Sequence, residues 1–380
     1  MKWIHLSDLH IGKRLNEYSL LEDQKYILDR ILAITEEERP QAVLIAGDVY
    51  DKAYPPVEGV ELLDEFLYRL TRMDLEVFLL SGNHDSSERL AFGGRFMEGS
   101  GLHISPAYRG EVEPFEMKDE FGSVLIYMLP FIRPARVQHC FPEEKIESYT
   151  DAVRVAISHM PLPDKTRKII LSHQYITGSE RSDSEIIPIG GLDAVDSSVY
   201  DPFDYVALGH LHRPQNVGGQ SRIRYCGTPL KYSFSEMRDA KSVSVLEMDG
   251  EGALSLRMVP LVPLRDLKEI RGSFEELTKP SFYAGSSYGS DYMRIILTDE
   301  EEVPEAAAKL HLIYPNLMKL EYDNQRTRHF GNPDELERSE ALHPMEVFEA
   351  FYEEQNGLPF SGEQRRYMTQ VIQKIWEEEA

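Results

Sequence analysis

Short runs of apolar, largely β-branched residues recur along the first two-thirds of the chain. Trp3–Leu6, Ala42–Ala46, Val77–Leu80, Val124–Leu129, Lys168–Leu171, Tyr205–Leu208, Ile223–Tyr225 and Ser242–Glu247 read as strands. Those before residue 81 end in loops containing Gly or Asp, and helical patterning follows. Within Glu58–Leu70, the residues Val60, Leu63, Phe66, Leu67 and Leu70 repeat at helical spacing, with Glu58, Glu61 and Glu65 facing away. Strand–loop–helix alternation predicts an α/β layered core. Such sheets bind ligands at the loops beyond the carboxyl ends of their strands.

The proline-marked stretch Val259–Pro263 reads as a linker that closes a first domain, 1–262. A small α+β domain, 263–325, is expected next. Its strands are Leu267–Ile270, Tyr292–Leu297 and Leu317–Tyr322, and its helices Ser273–Thr278 and Val303–Leu312. Residues 323–342 are polar and turn-rich, a second linker, and 340–380 should form two helices. The last begins at a capping box of Ser361 and Gln364 and carries Met368, Val371, Ile372, Ile375 and Trp376 on one stripe. So short a pair cannot bury that stripe alone. It either docks on its own body or, the reading preferred here, binds a partner.

Length and composition change this picture little: 380 residues suit two or three domains, and 42% apolar with 28% charged residues suits a folded chain. No apolar run reaches membrane-spanning length, and no signal segment precedes the first strand, so a cytoplasmic protein that begins at Met1 is expected. Cys140 and Cys226 stand far apart in no metal or disulfide pattern and read as small hydrophobes. The charge matters more. At −24 the chain should repel nucleic acid, and 340–380 alone carries nine Glu against three Lys and Arg. Any nucleic-acid surface must therefore be a local basic rim or be supplied by a partner.

Five signals carry chemistry, each where a β-run ends. They are Asp8-Leu9-His10, Gly47-Asp48-Val49-Tyr50-Asp51, Gly82-Asn83-His84-Asp85, Ser172-His173 and Gly209-His210-Leu211-His212. Strand ends of one sheet edge aim all five loops at one rim. Asp, Asn and neutral His are oxygen and nitrogen donors suited to manganese, iron or zinc. In D-x-H and H-x-H, alternation puts both side chains on one face of an extended segment. One carboxylate can bridge two cations roughly 3.5–4 Å apart, an arrangement that activates water and clamps the attacking and leaving oxygens of phosphoryl transfer.

These motifs resemble the calcineurin-like metallophosphoesterase superfamily. Phe203–Gln215, with Gly190-Gly191-Leu192-Asp193 and Tyr225–Leu230, narrows the likeness to the bacterial SbcD family of DNA double-strand break repair nuclease subunits, over about residues 1–260. The resemblance implies a β-sandwich core flanked by helices, with a small capping domain and C-terminal helices. It implies one metal held by Asp8, His10, Asp48 and His212 and another by Asp48, Asn83, His173 and His210. His84 would contact the scissile phosphate and protonate the leaving oxygen, a role that suits an imidazole, and Asp51 would orient it. The cofactors implied are two divalent cations, manganese first, with magnesium, iron or zinc as alternatives.

The family function is a two-metal-ion DNA nuclease in an ATP-dependent SbcCD-like complex, serving repair, recombination and replication. It acts as a 3′→5′ double-strand exonuclease and a single-strand and hairpin endonuclease, through in-line attack of a metal-activated hydroxide. The implied partners are DNA and an SbcC-like ABC ATPase whose coiled-coil base would receive the terminal helices, with no membrane. A homodimer through helices near 57–70 and 86–98 is also implied, although Leu63, Phe66 and Leu67 could equally face their own core. Candidate DNA contacts are Lys13, Arg14, Arg89, Arg133, Arg136 and Arg213, which read equally well as solvated surface charge. Asp85 reads as a turn-former bonding backbone, His5 as a core residue and His159 as surface or core. Two other functions compete: a metallophosphoesterase acting on a small-molecule or nucleotide phosphodiester, and a scaffold without catalysis, which would not need all seven ligands and His84.

Overall fold

The computed structural model describes residues 1–180 and 193–324, together with 349, 352, 361, 362 and 364–368. The chain first lays down β1 (Lys2–Leu6), β2 (Ala42–Ala46), β3 (Glu76–Leu80) and β4 (Leu102–Ile104). It then builds a second sheet from β5 (Phe115–Asp119), β6 (Gly122–Leu129), β7 (Arg167–His173), β8 (Tyr205–Gly209), β9 (Gln215–Val217) and β10 (Gln220–Tyr225). β11 (Ser242–Met248) and β12 (Leu254–Pro260) return to the first sheet. The sheet orders are β12-β11-β1-β2-β3-β4 and β9-β10-β8-β7-β6-β5.

Every site-bearing strand runs parallel to its site-bearing neighbour: β1 with β2, β2 with β3, and β7 with β8. Parallel strands covered on both faces should be apolar throughout, and Ala42–Ala46 is buried at every position. The sheets pack through Trp3, Leu44, Phe78 and Leu80 of one and Ile126, Ile169, Leu171 and Ala207 of the other. The outer face of the first is covered by α1 (Leu21–Glu38) and α2 (Val57–Thr71), that of the second by α3 (Tyr149–Ser158). The result is the helix-flanked β-sandwich the motifs implied.

Several expectations need adjusting. The supposed linker begins later, because Val259 and Pro260 complete β12, an edge strand where proline costs no ladder bond. α1 was not singled out in the sequence, although Ile27, Leu28, Ile31 and Leu32 form its buried face. Beyond residue 263 a three-stranded sheet forms from β13 (Leu267–Gly272), β14 (Tyr292–Leu297) and β15 (Leu317–Tyr322), in that order. Its helices, Phe274–Leu277 and Ala306–His311, are shorter than the pattern suggested.

Two compact units emerge. One comprises Met1–Glu269, Gly285–Arg294 and His311–Lys319, the other Ile270–Ala284, Ile295–Leu310 and Leu320–Ala380. At the C-terminus, Ser361 and Gln364 exchange the two reciprocal bonds of a capping box, at 2.9 and 3.2 Å. Val371, Ile372, Ile375, Trp376, most of the 323–342 segment and Gly190–Leu192 lie outside the described residues. Among the described residues no helix is long and apolar enough to cross a membrane.

Candidate metal centre

The carboxyl ends of β1, β2 and β3 in one sheet, and of β7 and β8 in the other, open onto a common rim. There the backbone departs from extended geometry: Asp8, His10, Asp48 and His210 have φ of 53°, 45°, 48° and 104°. Non-glycine residues adopt these values only where the surroundings over-determine them, and they concentrate at functional sites. The determinants are specific. Asp8 N–H donates to the Gly47 carbonyl at 2.9 Å and His10 N–H to the Asp48 carbonyl at 3.0 Å. His210 N–H donates to both Asp8 oxygens, at 3.0 and 3.1 Å.

All seven predicted donors meet here. His10 and His212 face each other Nε2 to Nε2 at 3.1 Å. His173 Nε2 lies 3.3 Å from Asp48 Oδ2 and 3.2 Å from Asn83 Oδ1, and His210 Nδ1 lies 3.0 Å from the same amide oxygen. Asp8, His10 and His212 form one set whose donor atoms lie within 4.8 Å of each other, and Asp8, Asp48 and His173 form another. The donor chemistry fits divalent cations: buried carboxylate and imidazole lone pairs converge on one another, which is unfavourable unless a positive charge stands between them.

The electrostatics report the same demand. Burial pushes the Asp8 carboxyl up to about 6 and the His10 imidazole down to about 4. Burial opposes a charged His173 as well, but Asp48 and Asp8 overcome it and carry His173 up to about 9. Asp48 is correspondingly held well below its usual range, by His173 above all, against the cost of burial.

Neighbouring groups fix the rings. His173 Nδ1–H donates to the Ala46 carbonyl at 2.7 Å, which turns its Nε2 toward the cluster. His84 Nδ1–H donates to the Asp51 main-chain carbonyl at 2.9 Å, leaving Nε2 4.0 Å from Asp48 Oδ2. Asp51 therefore reaches His84 through its backbone. Its carboxylate goes instead to Lys13 Nζ, at 2.7 Å, and lies 3.6 Å from His10 Nδ1. Asp85 accepts from the N–H groups of Val49, Tyr50 and Gly82 at 2.9–3.0 Å, the backbone-bonding role expected of it.

Three buried neighbours of the cluster carry no signal in the sequence. Glu236 Oε1 stands 3.2 Å from His212 Nδ1, and Lys241 Nζ lies 2.5 Å from Glu236 Oε2. Burial would raise the Glu236 carboxyl, but His212 and Lys241 hold it well below its usual range. The Tyr232 ring packs edge-on against His10, centroids 5.6 Å apart. None of the three lies in a strand-end motif, so local spacing carries no signal for them.

The six basic candidates separate into classes. Lys13 is tied to Asp51, and Arg213 is bonded to Asp239 at 3.1 Å and Glu180 at 2.7 Å. Arg14 donates to the Glu17 carbonyl, Arg89 stacks on Tyr54 at 3.7 Å, and Arg136 donates to the Tyr108 carbonyl at 2.9 Å. Arg133 is exposed, with its guanidinium 5.9 Å from the Phe131 ring, which in turn lies 6.5 Å from the His173 ring.

Residues 1–214 match the family model described as calcineurin-like phosphoesterase, and residues 263–356 match a type 5 capsule protein repressor C-terminal domain. A curated relative, the SbcD component of the SbcCD nuclease of Staphylococcus epidermidis, is 36% identical over 324 residues, covering 84% of this chain and 85% of its own. Among solved structures, a dimetal phosphatase from Danio rerio aligns at 12% identity with a TM-score of 0.40, over 69% of this chain and 96% of that one. A Thermus thermophilus protein, TT1561, aligns at 12% identity and 0.34, over 68% and 98%.

Proposed function

This chain belongs to the calcineurin-like phosphoesterase family and, within it, to the SbcD components of SbcCD nucleases, and from that premise we propose that it hydrolyses DNA phosphodiesters at the strand-end cluster. The observation that carries the reading is the convergence of seven oxygen and nitrogen donors from five strand ends of both sheets on one rim. On this reading Asp8, His10, Asp48 and His212 hold one divalent cation. Asp48, Asn83, His173 and His210 hold a second, with Asp48 shared. The all-oxygen-and-nitrogen donor set suits manganese.

Bound cations supply Lewis acidity and a water-derived nucleophile at neutral pH. The chain's own groups do the rest. Asp48 Oδ1 is pinned by His84 N–H at 2.9 Å, which orients the carboxylate. His84, held by the Asp51 carbonyl, presents Nε2 to the rim, where as the doubly protonated imidazolium it would contact the phosphate and give its Nε2 proton to the leaving oxygen. Arg133, exposed and beside the Phe131 ring that adjoins His173, is the predicted contact assigned to the DNA backbone.

An SbcC-like ATPase would share DNA binding, which reconciles a charge of −24 with a polyanionic substrate. The chain would also pair with itself. Leu63 and Phe66 of α2 are spent on its own core, yet Val57, Tyr68, Phe92 and Phe96 are 70%, 58%, 84% and 94% exposed. Of these, Tyr68 and Phe92 line a cavity of about 500 Å³, together with Val60 and Leu67, and apolar side chains exposed together in this way mark an interaction surface.

The test is incubation of the purified protein with manganese and a labelled linear duplex, beside a His84→Gln control. Manganese-dependent shortening that the variant loses is expected. Hydrolysis of bis-p-nitrophenyl phosphate with no DNA cleavage, even with the ATPase added, would refute the nuclease reading in favour of a small-molecule substrate.

A further inference from the structure

Glu236 is fully buried at the end of the turn Phe234–Glu236 and belongs to none of the five strand-end motifs. Its two oxygens are divided: Oε1 lies 3.2 Å from His212 Nδ1, while Oε2 lies 2.5 Å from Lys241 Nζ and 3.4 Å from Thr228 Oγ1. Lys241 is only 5% exposed. Its ammonium also donates to the His212 main-chain carbonyl at 2.9 Å and stands 3.8 Å from Asp239 Oδ2. Burying two opposite charges carries a desolvation cost that their attraction often fails to offset, and an apolar pair of the same volume often serves stability equally well. The pair therefore needs a role that apolar residues could not fill.

His212 supplies one. A carboxylate against Nδ1 keeps the ring proton on that nitrogen, so Nε2 retains its lone pair and points at His10 Nε2, 3.1 Å away. The same carboxylate raises the basicity of the ring, which a backbone carbonyl does less well. His212 is thus gripped at both ends, its ring by Glu236 and its carbonyl by Lys241. The opposite side of the cluster is built differently, since His173 is oriented by the neutral Ala46 carbonyl.

We propose that Glu236 and Lys241 are positioning residues that lock the tautomer and direction of His212, and so set the affinity of the one cation held by Asp8, His10 and His212. The inference rests on the two-metal reading of the site. Its test is titration of the full chain with Mn2+, followed by calorimetry and by the EPR signal of free Mn2+, in three forms: wild type, Glu236→Gln and Glu236→Gln/Lys241→Met. The double variant removes both charges together, so it remains informative should the single one fold poorly. Melting temperatures of the metal-free proteins serve as the folding control.

The expected result is two bound ions in wild type, and in each variant one of the two weakened by about 10–100-fold while the other keeps its affinity. Folded variants that bind both ions as wild type does would overturn the proposal. Equal weakening of both ions would overturn it too, because that marks a general structural role. Wild type binding fewer than two ions would instead sink the two-metal reading itself, and this inference with it.

Discussion

Gly209 ends β8 and pairs in register with His173 at the end of β7, so a side chain there would have to share space with the centre itself. A Cβ built on Gly209 falls 1.9 Å from the Ala46 carbonyl oxygen and 2.7 Å from His173 Nδ1, the two atoms whose hydrogen bond orients His173. Restoring even a 3.0 Å separation requires β2 and β8 to part by about 1 Å, in a region where both strands are buried on both faces. Overpacking of this kind costs about 1–3 kcal/mol, and the lost bond about 1 kcal/mol more. Gly209→Ala should therefore lower the melting temperature by roughly 5–15 °C, at about 2–4 °C per kcal/mol for a domain of this size. Turnover should fall further than stability, since a displacement near 1 Å at a catalytic centre can cost about 100-fold. The assay is differential scanning fluorimetry beside manganese-dependent hydrolysis of bis-p-nitrophenyl phosphate. Gly289→Ala is the control, because its Cβ meets nothing within 4 Å. A Gly209→Ala protein that melts and turns over like wild type would refute the claim that this close approach positions His173.

Three further outcomes follow from the same structure. His5, buried against Tyr205 and the Leu208 carbonyl, is pushed down to about 3 by burial and by Arg224. The unfolded chain takes up that proton below about 6.5, so the stability His5 contributes is intact above that pH and falls as pH drops toward 3. His5→Gln should flatten the acid limb of urea stability measured in EDTA between pH 6 and 4, and an unchanged slope would count against a neutral buried His5. Chelation of the loaded protein should abolish hydrolysis and lower the unfolding free energy by about 2.7 kcal/mol for each ion present at 100 times its Kd; a melting curve indifferent to EDTA would argue against resident cations. Replacing Phe92 and Phe96 together with Ser should convert a dimer to a monomer in sedimentation velocity while leaving the melting temperature nearly unchanged, because both rings are exposed within the chain.

Much of the centre was legible because its donors lie beside the ends of apolar runs, where hydropathy changes abruptly. Ala42–Ala46 followed by Gly47-Asp48 is read without knowing any other part of the chain. Ser361 and Gln364 were legible for the same reason, since a capping box is local chemistry. What was not legible depends on pairing across the fold. Glu236 reaches a residue 24 positions away, and nothing in Ser-Phe-Ser-Glu announces it. Lys13 and Arg213 looked like open cations because Asp51 and Asp239 approach them only after folding. β12 was obscured by its closing proline, which an edge strand tolerates. α1 differs, for its apolar spacing was present and was not singled out.

The centre straddles two sheets, with Asp8, Asp48 and Asn83 following strands of the first, His173 ending a strand of the second, and His210 and His212 following another. During synthesis, the first carboxylate leaves the ribosome about 200 residues before the last imidazole, a delay of roughly 10–40 s at about 5–20 residues per second. In that interval the nascent chain holds only part of the donor set. The full donor set exists only once strands of both sheets have been made and packed together, so a chain still short of its second sheet carries the first motifs of the centre without the centre itself.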